Sequence, residues 1–370
     1  MFFLTRIKNV FDNIIEKKII KYIDKLSLQL YIFFKRFIYT SNRINEDECG
    51  ILILANLLIG DLAMSGYLIQ SIRHHYPTRK ITLVCKENIM SVFNLDLILP
   101  VTNISWKLYV PLQKEKYGLV FNIFSDKLLS LCDGLAIGNI YGTHLVKFEK
   151  PMNMVDMILS IKPPNIPTRS LPLILPPIIP QNKKKYIVIH IGAQVLTRLW
   201  PIELLNDIIK FIDIKIIFTG LEQSQTYMDE LHLKFKMEKI VNMIGKTTYL
   251  QLLSIINNSV GIISMDTSVI HWARLMKIPS LSVLGPVDSN IFGANSEQFE
   301  NAYHMSIDNL TCRDVHRHMS KHMTWVNHCN RRTCIFTERK CTKFSETEIE
   351  STIKDFMKNL KIKTQIEYSV

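Results

Sequence analysis

The chain has few cysteines and no long apolar run, and each absence excludes a class of protein. Seven cysteines in 370 residues are too few for a secreted disulfide scaffold. Near the N-terminus the longest uncharged stretch, residues 26–34, is far shorter than the roughly 20 residues that a bilayer-spanning helix requires. No uninterrupted apolar core precedes a small-residue cleavage site, as it would in a signal peptide, so we expect a cytoplasmic protein with reduced thiols.

The overall composition is that of an ordinary globular protein. Hydrophobic residues make up 47% and charged residues 21%, which excludes a mainly disordered chain, a collagen and a coiled coil. Because domains typically contain about 100–200 residues, a chain of 370 residues predicts two domains.

The net charge of +12 is concentrated in two segments. Residues 1–45 hold nine basic and three acidic residues. Residues 311–343, here called the Cys-rich segment, hold eight basic and two acidic residues. The remaining chain has 28 residues of each sign. Two local basic patches indicate contact with an anionic membrane, a phosphate-rich substrate or nucleic acid.

Proline marks the division between the two predicted domains. Seven of the fourteen prolines lie between Pro163 and Pro180, where neither a helix interior nor a central strand can form. The predicted parts are a basic amphipathic N-terminal segment (1–45), an N-terminal domain (46–162), a Pro-rich linker (163–185), a C-terminal domain that includes the Cys-rich segment (186–345) and a C-terminal helix (346–370). The first segment is equally compatible with a helix on a membrane and with one packed on its own domain.

Both domains begin with a buried-strand pattern, a glycine and a helix: strands are predicted at residues 50–56 and 186–191, and helices at residues 62–76 and from Pro201 onward. Further apolar runs follow at helical spacing and predict strands at residues 81–85, 119–123, 215–219, 260–264 and 280–284. Strands that alternate with helices predict parallel sheets built from βαβ units. The fold class is therefore α/β, with two Rossmann-like, doubly wound domains that face each other across a cleft.

Ligands of such sheets bind at the carboxyl ends of the strands, where three loops carry suitable residues. In the first loop Asp61 follows Gly60 at a helix start, where a carboxylate acts either in chemistry or simply as a helix cap. In the second, the small residues Gly192 and Ala193 precede Arg198, whose guanidinium suits phosphate oxygens.

The third loop, residues 264–271, follows a strand and begins a helix. It contains Asp266, Thr267, Ser268 and His271. A helix N-terminus with free N–H groups favours anions. On pattern alone His271 fits a packed core histidine better than a ligand.

Together these loops resemble glycosyltransferase family 9, the lipopolysaccharide heptosyltransferase family. The similar stretches are ILILANLLIGDLAMSGYLIQSIRHHYP, HIGAQVLTRLWPIELL, IIFTGLEQS, IGKTTYLQLLSII and SMDTSVIHWARLMKIPSLSVLGPVD. The family's Asp-Thr-Gly-x-x-His loop has Ser268 in place of its glycine here. The resemblance covers roughly residues 50–288.

The resemblance implies a GT-B fold and inverting transfer of heptose from ADP-heptose without an essential divalent cation. Asp61 would be the general base and Arg198, in place of the family's lysine, would lie beside the diphosphate. Asp266 would contact sugar hydroxyls, with Thr267 and the helix N-terminus near the phosphates. Glu222 would contact the ribose, and Met243 would lie near the adenine.

Four of the cysteines, Cys312, Cys329, Cys334 and Cys341, fall within the Cys-rich segment. Four thiolates can bind zinc or iron tetrahedrally, but the gaps of 16, 4 and 6 residues lack the close pairs of a zinc ribbon. Relatives that attach heptose to autotransporter proteins carry an iron-binding cysteine cluster in a similar place. A structural iron or zinc is therefore one hypothesis. The other is a metal-free basic patch that steers a phosphorylated lipid core or holds the nucleotide. Alternative metal ligands in the same segment are His316, His318, His322 and His328.

The leading hypothesis is a heptosyltransferase on the inner face of the cytoplasmic membrane, with ADP-heptose as donor and the lipopolysaccharide inner core or another envelope glycan as acceptor. A protein acceptor, with a Cys-bound metal, is the first alternative. A catalytically inactive scaffold that binds nucleotide sugars is the second. A nucleic-acid-binding protein is the third, but no nucleic-acid partner is expected, because the basic Cys-rich segment has little aromatic interleaving and no recognisable module.

Overall fold

The structure, a computed structural model, describes most of the chain between residues 49 and 366. The described residues are 18, 22–23, 26–31, 49–86, 88–100, 106–124, 128, 135–176, 186–193, 196–226, 229, 239–314, 317–318, 321–322, 325–329 and 331–366. Most of the predicted N-terminal segment and residues 177–185 of the predicted linker therefore lie outside them.

The first sheet is built from the apolar runs of the N-terminal half. Its strands pair in the parallel order β3-β2-β1-β4-β5. Side chains on both faces of the central strands are buried, as their continuous apolar sequences require. The strands are β1 (Gly50–Ala55), β2 (Ile81–Cys85), β3 (Leu97–Pro100), β4 (Tyr117–Asn122) and β5 (Ala136–Gly142).

Three α-helices whose bounds are given below accompany this sheet, and the described residues 26–31 are helical as well, with Leu28 buried in the same apolar cluster as Leu52 and Leu54. The longest is buried over most of its length and begins three residues earlier than the helical pattern predicts. A side chain caps the third helix, because Asn153 accepts a hydrogen bond from the Val155 amide at 3.0 Å. The helices are α1 (Ile59–His75), α2 (Trp106–Leu112) and α3 (Met154–Leu159).

The second sheet repeats the architecture in the C-terminal half. Six strands pair in the parallel order β11-β10-β9-β6-β7-β8. The predicted strand at residues 215–219 has the observed bounds, and those predicted at residues 186–191, 260–264 and 280–284 differ from the observed strands by one residue. The sequence patterns do not predict β8 and β11. The strands are β6 (Tyr186–His190), β7 (Lys215–Thr219), β8 (Ile240–Asn242), β9 (Gly261–Met265), β10 (Ser280–Val283) and β11 (Ala302–Met305).

Helices also flank the second sheet. The first of them begins at Ile202, one residue after its predicted start at Pro201, and a Thr248–Gln251 capping box begins the second. The last helix packs Ile353, Phe356 and Leu360 into the core of this half. The helices are α4 (Ile202–Lys210), α5 (Tyr249–Asn257), α6 (Ser268–Leu275), α7 (Ser289–Phe292) and α8 (Glu346–Ile366), and a short hairpin pairs β12 (Arg317–His318) with β13 (Lys321–His322).

The two halves meet where α1 packs against α6. A Cβ added at Gly66 of α1 would lie 2.4 Å from the Leu275 Cδ2 atom of α6, and one at Gly60 would lie 3.2 Å from the Ser268 Cα atom. Phe93 stacks on Trp272 with ring centroids 5.7 Å apart. This contact brings the N-terminus of α1 to the N-terminus of α6.

The described part of the predicted linker, residues 163–176, lies along the same contact. The Gln70 side chain of α1 donates to the Leu171 carbonyl at 2.6 Å, and Ser254 of α5 donates to the Pro176 carbonyl at 2.8 Å. The exact domain limits stay predictions. No helix among the described residues is both long enough and apolar enough to cross a bilayer.

Candidate active site

Each sheet changes its direction of winding at one point, and open α/β sheets bind ligands there. In the second sheet this point lies between β6 and β9, because β7 and β8 extend one side and β10 and β11 the other. The loops that leave β6 and β9 carry Arg198 and Asp266. The sheet order therefore brings two predicted site residues to one edge, although 68 positions separate them.

Arg198 and His271 hold the Asp266 carboxylate from two sides. The Arg198 Nη1 atom lies 3.2 Å from Asp266 Oδ2, and it also donates to the Asp266 backbone carbonyl at 3.2 Å. The His271 Nε2 atom lies 3.5 Å from Asp266 Oδ1. Asp266 and His271 are buried, whereas the Arg198 side chain is 37% exposed. Arg198 thus links a buried carboxylate to the solvent side of the site.

The charges in this cluster are fixed by mutual contact. Burial alone raises the pKa of the Asp266 carboxyl, but Arg198, His271 and Arg274 together hold it below its usual value. Burial lowers the pKa of His271 more than Asp266 raises it. At neutral pH the carboxylate is therefore charged and the imidazole neutral, which leaves His271 an N–H to donate to Asp266.

Helix α6 begins at Ser268, the residue that replaces the glycine of the Asp-Thr-Gly-x-x-His loop. Thr267 occupies the N-cap position, one residue before the helix, and its hydroxyl lies 3.3 Å from the Ser264 hydroxyl. The Ser268 hydroxyl accepts a hydrogen bond from the Tyr249 hydroxyl at 2.8 Å. The serine is therefore accommodated by a partner on α5.

Asp61 lies in the first turn of α1, on the other half of the molecule, and is half-buried. The helix begins after Leu58, so Asp61 does not occupy the N-cap position. Burial and the Asp266 charge raise the pKa of Asp61 to about 7, while Arg198 and a backbone hydrogen bond with Leu58 lower it. Asp61 is thus electrostatically coupled to the Arg198–Asp266 pair across the contact between the halves.

The loop after β6 is packed closely against its neighbours. His190 is buried, its Nδ1 atom lies 3.0 Å from the Thr219 hydroxyl, and burial lowers its pKa to about 4. A Cβ at Gly192 would lie 3.1 Å from both the His190 Nε2 atom and the Leu221 nitrogen. A side chain at residue 192 would crowd the His190 imidazole, and glycine avoids this contact. Ala193 is buried in the core of the second half.

The two residues predicted to contact the nucleoside lie farther along the same sheet. Glu222 is exposed and begins a short 3₁₀ helix after β7. Gly245, which has a φ of +67°, lies so close that an added Cβ would be 3.3 Å from the Glu222 Cα atom. Met243 follows β8, is half-buried and packs against the core that contains α6.

The four cysteines of the Cys-rich segment line one pocket together with Thr197, beside Arg198. Burial, opposed by Arg313, raises the pKa of the Cys341 thiol, and Cys334 and Cys312 raise it further. Thiols are suitable ligands for iron or zinc. Within the described residues, however, no three side chains of ligand type converge closely enough to hold one ion. The chemistry fits a metal but the described geometry does not.

Two further residues face this site; the sequence interpretation missed Tyr249 and named His328 only as an alternative metal ligand. Tyr249 is the first, and the capping box at Thr248 signals only the helix start that places it beside Ser268. The second is His328, whose pKa is lowered by burial and by Arg198. Its imidazole also interacts electrostatically with Asp266 and Asp288. The +6 charge of the Cys-rich segment is compatible with holding the nucleotide, but no local sequence pattern indicates that the segment folds over the strand ends.

Comparison with known proteins supports the resemblance seen in the sequence. Residues 148–322 match glycosyltransferase family 9 (heptosyltransferase). No curated protein sequence matches this chain significantly.

The fold is similar to those of three solved proteins. A glycosyl transferase family 9 structure from Veillonella parvula DSM 2008 has a TM-score of 0.55 and 16% identity, and the match covers 72% of this chain and 87% of that one. ADP-heptose lps heptosyltransferase II of E. coli has a TM-score of 0.54 and 16% identity, and the match covers 70% of this chain and 90% of that one. The third is the dodecameric iron-containing heptosyltransferase TibC of enterotoxigenic E. coli H10407, in complex with ADP-D-beta-D-heptose. It has a TM-score of 0.50 and 10% identity, and the match covers 87% of this chain and 78% of that one. These matches confirm the predicted two-domain α/β fold of GT-B type.

Proposed function

Because residues 148–322 carry a glycosyltransferase family 9 domain, the chain is a glycosyltransferase, and we propose that it transfers heptose from ADP-heptose to a bacterial envelope acceptor with inversion. The observation that carries the proposal is the coupling of Asp61 on one half to the Arg198–Asp266 pair on the other. Inverting transfer needs a base on the acceptor side and positive charge on the leaving-group side.

Arg198 and the N-terminus of α6 stabilise the departing diphosphate. Negative charge develops on the leaving group as the glycosidic bond to the donor breaks, so positive groups that are already oriented lower the barrier. The guanidinium is anchored to Asp266 through Nη1, which leaves the half-exposed side chain to reach donor phosphate oxygens. Thr267, Ser268 and the first amides of α6 lie beside the same phosphates, next to Gly192 and Ala193.

Asp61 removes the proton from the attacking acceptor hydroxyl. A carboxylate whose pKa is about 7 is half ionised at neutral pH, and it is a stronger base than an ordinary aspartate. The Asp266 charge, which raises this pKa, thereby supports the base while binding donor sugar hydroxyls. No essential divalent cation is required in this proposal.

Glu222 binds the ribose and Met243 lies against the adenine in the same proposal. Both follow strands on the β7–β8 side of the sheet, so a nucleoside that extends from the diphosphate at β6 would pass along this edge. Isothermal titration calorimetry with ADP-heptose, ADP, UDP-glucose and GDP-mannose tests the donor. Preference for the two ADP compounds supports it, and preference for another nucleotide overturns it.

The lipopolysaccharide inner core is the leading acceptor, bound on the side of Asp61. We place the protein in the cytoplasm, peripherally on the inner face of the cytoplasmic membrane, because residues 1–45 carry a net charge of +6 that anionic lipids would attract. Sedimentation with anionic and with neutral vesicles tests this placement, since only the anionic vesicles should retain the protein.

The cysteine pocket favours a second acceptor class, a protein. The four thiols of the pocket are the ligand type expected of an iron or zinc site. The match to iron-containing TibC covers 87% of this chain, and the match to the E. coli lps heptosyltransferase II covers 70%. Transfer assays with heptose-free lipopolysaccharide and with an autotransporter passenger domain separate the two acceptors. Metal analysis of the wild type and of Cys334→Ser tests the metal. Iron or zinc in the wild type that is depleted in Cys334→Ser supports a structural ion, whereas metal in neither agrees with the described geometry.

A further inference from the structure

The Cys-rich segment holds both residues that flank Arg198. The Thr197 hydroxyl donates to the Arg331 backbone carbonyl at 3.0 Å, and the Arg339 guanidinium donates to the Leu199 carbonyl. Thr197 is 5% exposed. Arg198 itself therefore projects from a short stretch whose two ends are tied to a segment more than 130 residues later in the chain.

Arg331 is itself fixed in place by contacts within the Cys-rich segment. Its Nη1 atom donates to the Cys312 carbonyl at 2.7 Å and lies 3.7 Å from the Cys329 sulfur. Its two guanidinium nitrogens meet the two oxygens of Asp314 at 3.1 and 2.5 Å. Such a two-pronged pair fixes geometry as well as charge. The carbonyl that Thr197 uses thus belongs to a well-anchored residue.

The same segment also holds the loop that follows β10. The Cys329 amide donates to the Pro286 carbonyl at 2.8 Å, and the buried Arg313 donates to the Gly285 carbonyl at 2.6 Å. Two loops at the ligand-binding edge of the second sheet are therefore tied to one support. The cysteine pocket lies between them, lined by Thr197, Pro286 and Arg331 among others.

We propose that Thr197 and Arg331 are positioning residues that hold the Arg198 guanidinium in its donor-binding orientation. This inference rests on the proposed role of Arg198 at the diphosphate. Once the tie to Arg331 is lost, the stretch around Arg198 gains conformational freedom, and ordering it again upon donor binding costs affinity. Neither residue touches the donor in this account.

Thr197→Val and Thr197→Ser form the matched test. Valine keeps the shape of the buried side chain but cannot donate to the Arg331 carbonyl, whereas serine keeps the hydroxyl. One hydrogen bond contributes about 0.5–1.5 kcal/mol, so we expect the Kd for ADP to rise roughly 2- to 12-fold in Thr197→Val. The Kd should stay near the wild-type value in Thr197→Ser. Calorimetry with ADP measures both variants, and circular dichroism verifies that they are folded.

A double variant separates positioning from a merely structural effect. If Thr197 acts through Arg198, adding Thr197→Val to Arg198→Ala should weaken ADP binding no further. Arg331→Ala should weaken ADP binding as Thr197→Val does, whereas the exposed neighbour Arg332→Ala should not. This second pair keeps the inference testable if Thr197→Val does not fold.

The outcomes distinguish this inference from the proposed function. Equal ADP affinity in the wild type, Thr197→Val and Arg331→Ala overturns the inference alone. Fully additive losses in Thr197→Val/Arg198→Ala also overturn it. A wild-type protein that binds no ADP overturns the proposed function and this inference with it.

Discussion

The Arg198 guanidinium lies 3.2 Å from the Asp266 carboxylate, across two loops that leave neighbouring strands of one sheet. Asp266 thereby anchors Arg198, the only positive side chain that we assign to the leaving diphosphate. Because both residues also act electrostatically on Asp61, with opposite signs, donor side and acceptor side are linked through charge.

Replacing Asp61 removes the proposed base and little else. We expect Asp61→Asn to lower kcat by about 10²–10⁴-fold, because general-base catalysis is typically worth that much. The donor Kd should be nearly unchanged, since Asp61 lies on the acceptor side. Asp207→Asn, at a half-exposed position on α4, is the control and should keep full activity. Undiminished turnover in Asp61→Asn would remove Asp61 from the mechanism.

The pH dependence of the reaction reports the ionisation of Asp61. A base must be deprotonated, so kcat/KM should rise with pH through about 7 and level off above it. Because Arg198 lowers the pKa of Asp61, Arg198→Ala should move this rise to higher pH as well as weaken donor binding. Steady-state kinetics between pH 5 and 9 measure both effects. A rise at an unchanged pH in Arg198→Ala would show that the two groups are not coupled.

The same shift makes the folded state sensitive to pH. The pKa of Asp61 rises from 3.8 to about 7, so protonated Asp61 contributes stability below pH 4 that is lost as pH rises towards 7. Asp61→Asn avoids that loss. The free energy of unfolding of Asp61→Asn minus that of the wild type should therefore be larger at pH 8 than at pH 4. Urea titrations at the two pH values decide, and an equal difference at both would contradict the shift.

The contact between α1 and α6 leaves no room beside Gly66. An added methyl group would lie 2.4 Å from Leu275 Cδ2 and 2.9 Å from Phe93 Cζ. Overpacking costs about 1–3 kcal/mol, which outweighs the gain of up to about 1 kcal/mol that alanine brings to a helix. We therefore expect Gly66→Ala to lower the free energy of unfolding. Adding Gly66→Ala to Leu275→Ala should cost less than adding it to the wild type, and an equal cost would exclude this clash.

Much of the fold is predictable because continuous apolar runs and Gly or Pro boundaries are local signals. The strand Lys215–Thr219 and the helix that follows Pro201 depend only on such patterns. The strand-end rule also predicts that Arg198 and Asp266 meet. Long-range packing carries no such signal, so neither the Tyr249–Ser268 hydrogen bond nor the attachment of Thr197 to Arg331 could be predicted. The convergence of four thiols on a metal, suggested by their number, is not seen among the described side chains.

The central claim is that this chain transfers heptose from ADP-heptose with Asp61 as base, and acceptor-dependent release of ADP tests it most directly. The wild type should release ADP when ADP-heptose is incubated with heptose-free lipopolysaccharide or with an autotransporter passenger domain. Asp61→Asn should release at least about 100-fold less while it still binds ADP. ADP release by Asp61→Asn at the wild-type rate, or none from the wild type with either acceptor, would contradict the account.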